Sequence, residues 1–125
     1  MALTPDQKTH ARVSPLLAIN LKMAERFLTL LDEAADSFTF QTFDDNRDRH
    51  NIARAAGKKD QYARVLHGSL AECAGELAKL NHEGAGVYVA INRTDGKGRK
   101  LANITGIRAV FLEADSPECW SLIEP

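Results

Sequence analysis

Ser37-Phe38-Thr39-Phe40-Gln41-Thr42-Phe43 alternates aromatic and polar side chains and is rich in strand formers, the two-residue period of a strand with one face in a core and the other toward water. Asp44-Asp45-Asn46-Arg47-Asp48-Arg49 then breaks the pattern, and the polar stretch from Asp44 to about Asp60, with Gly57-Lys58-Lys59-Asp60 near its end, predicts a loop that is mobile or ligand-facing. Upstream, Ser14 can cap a helix whose first turn suits Pro15, with Leu17, Leu21, Ala24, Leu28 and Leu31 recurring along one face. The residues before it, up to Val13, are polar and aperiodic and read as an irregular arm.

Downstream, Tyr62, Leu66, Leu70, Cys73, Leu77 and Leu80 fall on one stripe, which predicts a second helix ending near His82, where Gly84 and Gly86 offer a left-handed stop. Val87-Tyr88-Val89-Ala90-Ile91-Asn92 is short and β-branched, the mark of an inner strand. A basic, glycine-containing loop follows from Thr94 to Lys100. The apolar run from Ile107 to Ala114 predicts a further strand, and Ser116-Pro117-Glu118 a helix start. The expected fold is α/β, a small sheet of at least three strands with two main helices packed on one face and the strand ending at Asp115 in the centre. Parallel and antiparallel pairing both stay open: the helix between Phe43 and Val87 suits a right-handed crossover, the short connection between Asn92 and Ile107 an antiparallel return.

At 125 residues and 44% apolar composition the chain has the size of one domain able to bury a core. Sixteen basic and seventeen acidic residues leave a net charge of -1, so contact with nucleic acid depends on a local basic patch. Cys73 and Cys119 lie in no metal-ligand or redox spacing, and no apolar run reaches membrane-spanning length. A reduced, cytoplasmic protein is expected, with no membrane partner.

Two constellations could carry chemistry. If Glu113-Ala114-Asp115 ends a strand, the two-residue period points both carboxylates to one face, the arrangement a hard cation such as magnesium or manganese accepts beside a phosphate. The same pair could equally be an acidic strand end facing water. Arg93, Lys97, Arg99, Lys100 and Arg108 form a basic cluster flanking the last two expected strands, either a phosphate- or nucleic-acid-binding set or the solvated charges of a turn. Of the histidines, His10, His50, His67 and His82, none has a triad or zinc spacing.

Read together, Ala63-Arg64-Val65-Leu66-His67-Gly68-Ser69-Leu70, Leu80-Asn81, Gly84-Ala85-Gly86-Val87-Tyr88-Val89, Asn92, Thr94-Asp95-Gly96, Gly98-Arg99, Asn103-Ile104 and Arg108-Ala109-Val110-Phe111 resemble the prophage- and plasmid-encoded primases of the archaeo-eukaryotic type, with a RepB-like primase domain. The resemblance spans about Phe38 to Asp115. It implies the front half of a primase head, in which Glu113 and Asp115 stand where a pair of aspartates binds divalent metal and nucleoside triphosphate. Glutamate at 113 departs from that pattern, its extra methylene shifting the carboxylate by about one bond length, and Ser116 stands where glycine is common. Such primases carry a phosphate-handling histidine and a further acid on later strands, whereas here all four histidines precede Glu113. The expectation is a mobile-element primase-like module, ending just after the acidic motif and without polymerising activity alone, that binds nucleic acid or a protein partner. The alternative is a phage-encoded inhibitor of a host defence complex, an anti-CRISPR-type protein built from a primase fragment. An exposed sheet edge would also allow a homo-oligomer.

Overall fold

The structure, a computed structural model, describes residues 19–111 and 113–122. The expected arm over residues 1–13, and Ser14, Pro15 and Leu17 of the first helix, lie outside them. The described chain starts into helix α1, Leu21–Leu31, whose N-terminal amide at Met23 is capped by the Asn20 carboxamide at 3.0 Å. Strand β1, Phe38–Asp44, follows, then helix α2, Arg47–Ala55, strand β2, Arg64–Gly68, helix α3, Leu70–Glu83, and strand β3, Ala85–Val89. A two-stranded ribbon comes last, β4, Arg93–Thr94, and β5, Ile104–Gly106, before a short 3-10 helix at Pro117–Leu122.

The architecture is α/β, a three-stranded antiparallel sheet ordered β2-β1-β3 with helices packed on it. Because β2 and β3 each run antiparallel to β1, they are parallel to one another, and α3 is the crossover that carries the chain over β1 between them. The core forms where the even-numbered face of β1 meets the helices: Phe38 and Phe40 pack with Leu28 of α1 and with Cys73 and Leu77 of α3. Burial of those side chains, each worth about 1.5–3 kcal/mol, fixes the helical layer. No described helix is long and apolar enough to cross a membrane.

Three expectations need correcting. The stretch from Asp44 to Asp60 contains a helix, α2, which no periodicity announces because it buries none of its residues. Its ends hold it instead: the Asn46 carboxamide accepts from Arg49 N at 2.9 Å, and Arg54 sits in the last turn, where a cation complements the helix dipole. The single helix expected from Tyr62 is a strand followed by a helix. Ser69 and Glu72 close a capping box at the start of α3, and the stripe through Tyr62 and Leu66 belongs to chain that is not helical. The expected stop does form, since Gly84 ends α3 in a left-handed conformation (φ +117°) that a residue with a Cβ rarely adopts.

The third correction is the strand expected from Ile107 to Ala114. Residues 107–111 and 113–115 form no strand, and Ile107, Val110 and Phe111 stand exposed. The sheet has three strands in the order β2-β1-β3, so β1 and not a strand ending at Asp115 is central. The pairing direction that the sequence leaves open is antiparallel between β1 and β3, and the parallel crossover joins β2 to β3. The antiparallel pair that does form, β4 with β5, lies within the connection between Asn92 and Ile107 and does not join strands on either side of it.

Candidate nucleic-acid interface

The two-residue period of β1 that sends Phe38 and Phe40 to the helices sends Thr39, Gln41 and Phe43 to the opposite face. Register brings the neighbours: Gln41 faces Tyr88 of β3 and Val65 of β2, and Thr39 faces His67. The β4–β5 ribbon is tied to this outer face by a chain of polar side chains, with Thr39 Oγ1 at 2.8 Å from His67 Nδ1 and at 2.7 Å from Thr94 Oγ1. The connection between β4 and β5 is built around Asp95 and Asn103. Asp95 Oδ1 accepts from Lys97 N at 2.8 Å, and its carboxylate also accepts from Asn103 Nδ2. Those donors hold the Asp95 carboxyl below the ordinary range. Gly98 is required by close approach, since a Cβ there would stand 2.5 Å from Asn103 Oδ1.

So fixed, the loop lays the Arg99 guanidinium over the Phe43 ring, 5.4 Å from its centroid. The ring of Tyr88 leans on Phe43 at 6.0 Å between centroids, and the His50 imidazole meets Phe43 edge-on at 6.5 Å. Tyr88 is 50% exposed. Beside it opens a hollow of about 350 Å³ lined by Phe43, Asp44, Asp45, Arg47, His50 and Tyr88. On the same face Gln41 Oε1 is buried with no hydrogen-bond partner among the described residues.

No family model, curated protein or solved structure matches this chain. What the site can do therefore rests on its own residues.

The five basic residues singled out in the sequence divide into two groups. Arg93 and Arg108 meet on one carboxylate, Asp32, at 3.0 and 2.8 Å. Arg108, its side chain only 7% exposed, stacks over the Phe38 ring at 4.6 Å and donates to the Ser37 carbonyl. Its donation to Asp32, opposed by burial and helped by Arg93, keeps that carboxyl below its usual value. Arg108 thus locks the chain after β5 onto the start of β1. Lys97, Arg99 and Lys100 sit on the loop between the ribbon strands and join no ion pair among the described residues.

Glu113 and Asp115 are exposed on irregular backbone, so the strand period that would align their carboxylates is missing. Among the described residues no three histidine, cysteine or acidic side chains converge as a metal-binding group.

Sequence reasoning missed a second polar cluster, at the other end of β1. Asp44, nearly fully buried at its side chain, receives Arg49 through two bonds of 3.0 Å and the Asn46 amide at 2.9 Å. Arg49 above all holds its pKa down, to about 2. Asp60 accepts from the Asp44 and Tyr62 amides, each at 2.8 Å, and from His50 Nδ1 at 3.0 Å. Burial pushes that carboxyl up, but the three donors outweigh it and the pKa is lowered. The signal available in the sequence is Asn46 as a cap with Gly57 as a stop, framed by Asp44 and Asp60.

Proposed function

We propose that this chain is a primase-like module of a phage or other mobile element that acts by binding single-stranded nucleic acid across the outer face of its sheet. The observation that carries this is Tyr88, half exposed and propped by Phe43, with the Arg99 guanidinium on the same face. Single strands are held by rings on which bases stack and by cations that meet the phosphates, and stacking tolerates any base because every base has a π-face. Here the ring comes from an edge strand and the cations from a braced loop, so neither has to be ordered at the moment of binding. Lys97, Arg99 and Lys100 supply the charge, while Arg93 and Arg108 shape the ribbon that presents it.

The test is fluorescence anisotropy with a labelled single-stranded oligonucleotide at low salt. Binding should weaken steeply as salt rises, and Tyr88→Ala should lose about 1–3 kcal/mol of affinity, roughly 5- to 150-fold. No binding at low salt, or an unaffected Tyr88→Ala variant, removes the proposal.

A second reading is favoured by Ile107, Val110 and Phe111, three apolar side chains standing exposed within five residues. Such a patch suits a protein partner, in keeping with an inhibitor of a host defence complex. In that case Val110→Asp with Phe111→Asp would abolish a partner complex while leaving oligonucleotide binding intact.

A further inference from the structure

Building on nucleic-acid binding at Tyr88, we propose that the bound strand's phosphate backbone continues from that hollow into the groove beside α2, where Lys58 and Lys59 are its counter-charges. This groove, about 340 Å³, is lined by Asp44, Arg49, His50, Lys58, Lys59 and Asp60 among others, and it shares Asp44 and His50 with the hollow at Tyr88. The two spaces therefore adjoin at the end of β1.

What the groove offers a ligand is decided by which charges are already committed. Its two carboxylates are turned inward: the side chains of Asp44 and Asp60 are 4% and 8% exposed, the first bound by Arg49 and the second by two backbone amides and His50. Arg49 is committed to Asp44. Lys58 and Lys59 are exposed and take part in no ion pair among the described residues. They leave α2 immediately after its C-terminus, where Lys58 N donates to the Ala53 carbonyl at 2.8 Å, so the local backbone places both at the groove. At the Tyr88 end the charges of Asp45 and Arg47 offset one another. With Arg49 offsetting Asp44, the groove sets two exposed lysines against the single inward-turned Asp60 carboxylate, a net positive charge beside an aromatic surface, which is the pairing that tracks a single strand.

Ionic-strength dependence separates this from the stacking platform. With a labelled oligodeoxythymidylate and the full chain, the slope of log K against log salt should fall by about 1.4 for Lys58→Ala/Lys59→Ala, about 0.7 for each phosphate no longer neutralised. Lys79→Ala, an exposed lysine on α3, should leave the slope unchanged. Tyr88→Ala should weaken binding at constant slope. If the double variant keeps the wild-type slope, or Lys79→Ala lowers it equally, the track along α2 is wrong even where Tyr88→Ala still loses binding and the platform stands. If the wild-type chain binds no oligonucleotide at low salt, both fall. Circular dichroism checks the fold, and Lys58→Gln/Lys59→Gln repeats the slope measurement should the alanine pair unfold.

Discussion

The two faces of β1 are built from the same seven residues by different physics. Toward the helices, Phe38 and Phe40 meet Leu28, Cys73 and Leu77 in contacts that need shape and apolarity alone. On the outer face Thr39 and Phe43 meet hydroxyls, an imidazole and a guanidinium, each of which has to find a particular partner. The inner face carries the stability. The outer face carries what is left free to recognise something, and the fold tolerates an exposed Tyr88 and an unpartnered Gln41 oxygen there because the helical layer holds the sheet without them.

The contrast is broken most directly by exchanging large for small on each side. Leu77→Ala, at a position only 5% exposed, should cost about 2–5 kcal/mol in denaturant unfolding. Tyr88→Ala should cost about 1 kcal/mol or less, its loss appearing in oligonucleotide affinity. Equal destabilisation by the two would mean that both faces serve as core.

Acid separates the apolar contacts of Phe38 and Phe40 from the polar cluster at the Asp44 end of β1, because only the polar contacts titrate. Asp44 has a folded pKa of about 2, below the roughly 3.9 of an unfolded aspartate, so the unfolded chain takes up its proton first. The stabilisation is whole above about pH 4 and drains away as the pH falls toward 2. Asp60 and Asp32, also lowered, follow in the same direction. Since Arg49 is half exposed, water screens part of the pair's strength. Thermal melts taken down to pH 2 should therefore show an acid loss that Asp44→Asn flattens. A variant losing stability with the same acid profile as wild type would show that Asp44 is not the group responsible.

The same division explains what could be read from the sequence. Elements that bury an apolar face announce themselves: β1 through its alternation, α1 through Leu28, and α3 through Cys73, Leu77 and Leu80, all buried. Where polar contacts decide the structure, periodicity misleads. The spacing of Tyr62 and Leu66 fits a helical stripe as well as a strand, and only the Ser69–Glu72 capping box marks where α3 begins. Helix α2, held at its ends by Asn46, Asp44 and Asp60, has no stripe to see. The apolar run after Ile107 has strand composition, but a strand forms only where the chain is laid alongside a partner, and composition does not say where the chain is laid. Among the basic residues, proximity in sequence groups Arg93 and Arg108 with Lys97, Arg99 and Lys100. A carboxylate 61 and 76 residues upstream, Asp32, separates them.

The smallest effect tests the joint between the two faces. Thr39 belongs to β1 yet turns its hydroxyl to both His67 and Thr94, so one oxygen links the sheet to the ribbon that carries Arg99. Thr39→Val keeps the shape and β-branching and removes only that link. The cost should be about 1 kcal/mol, a typical side-chain hydrogen bond. The loosening should fall on the ribbon: amide exchange at Asp95 and Asn103, whose backbones bond to one another and to Lys100, should quicken, while that of α3 stays as in wild type. Exchange quickened evenly across α3 and the ribbon would show that the outer face is part of one cooperative core, and the separation of stability from recognition would have to be abandoned.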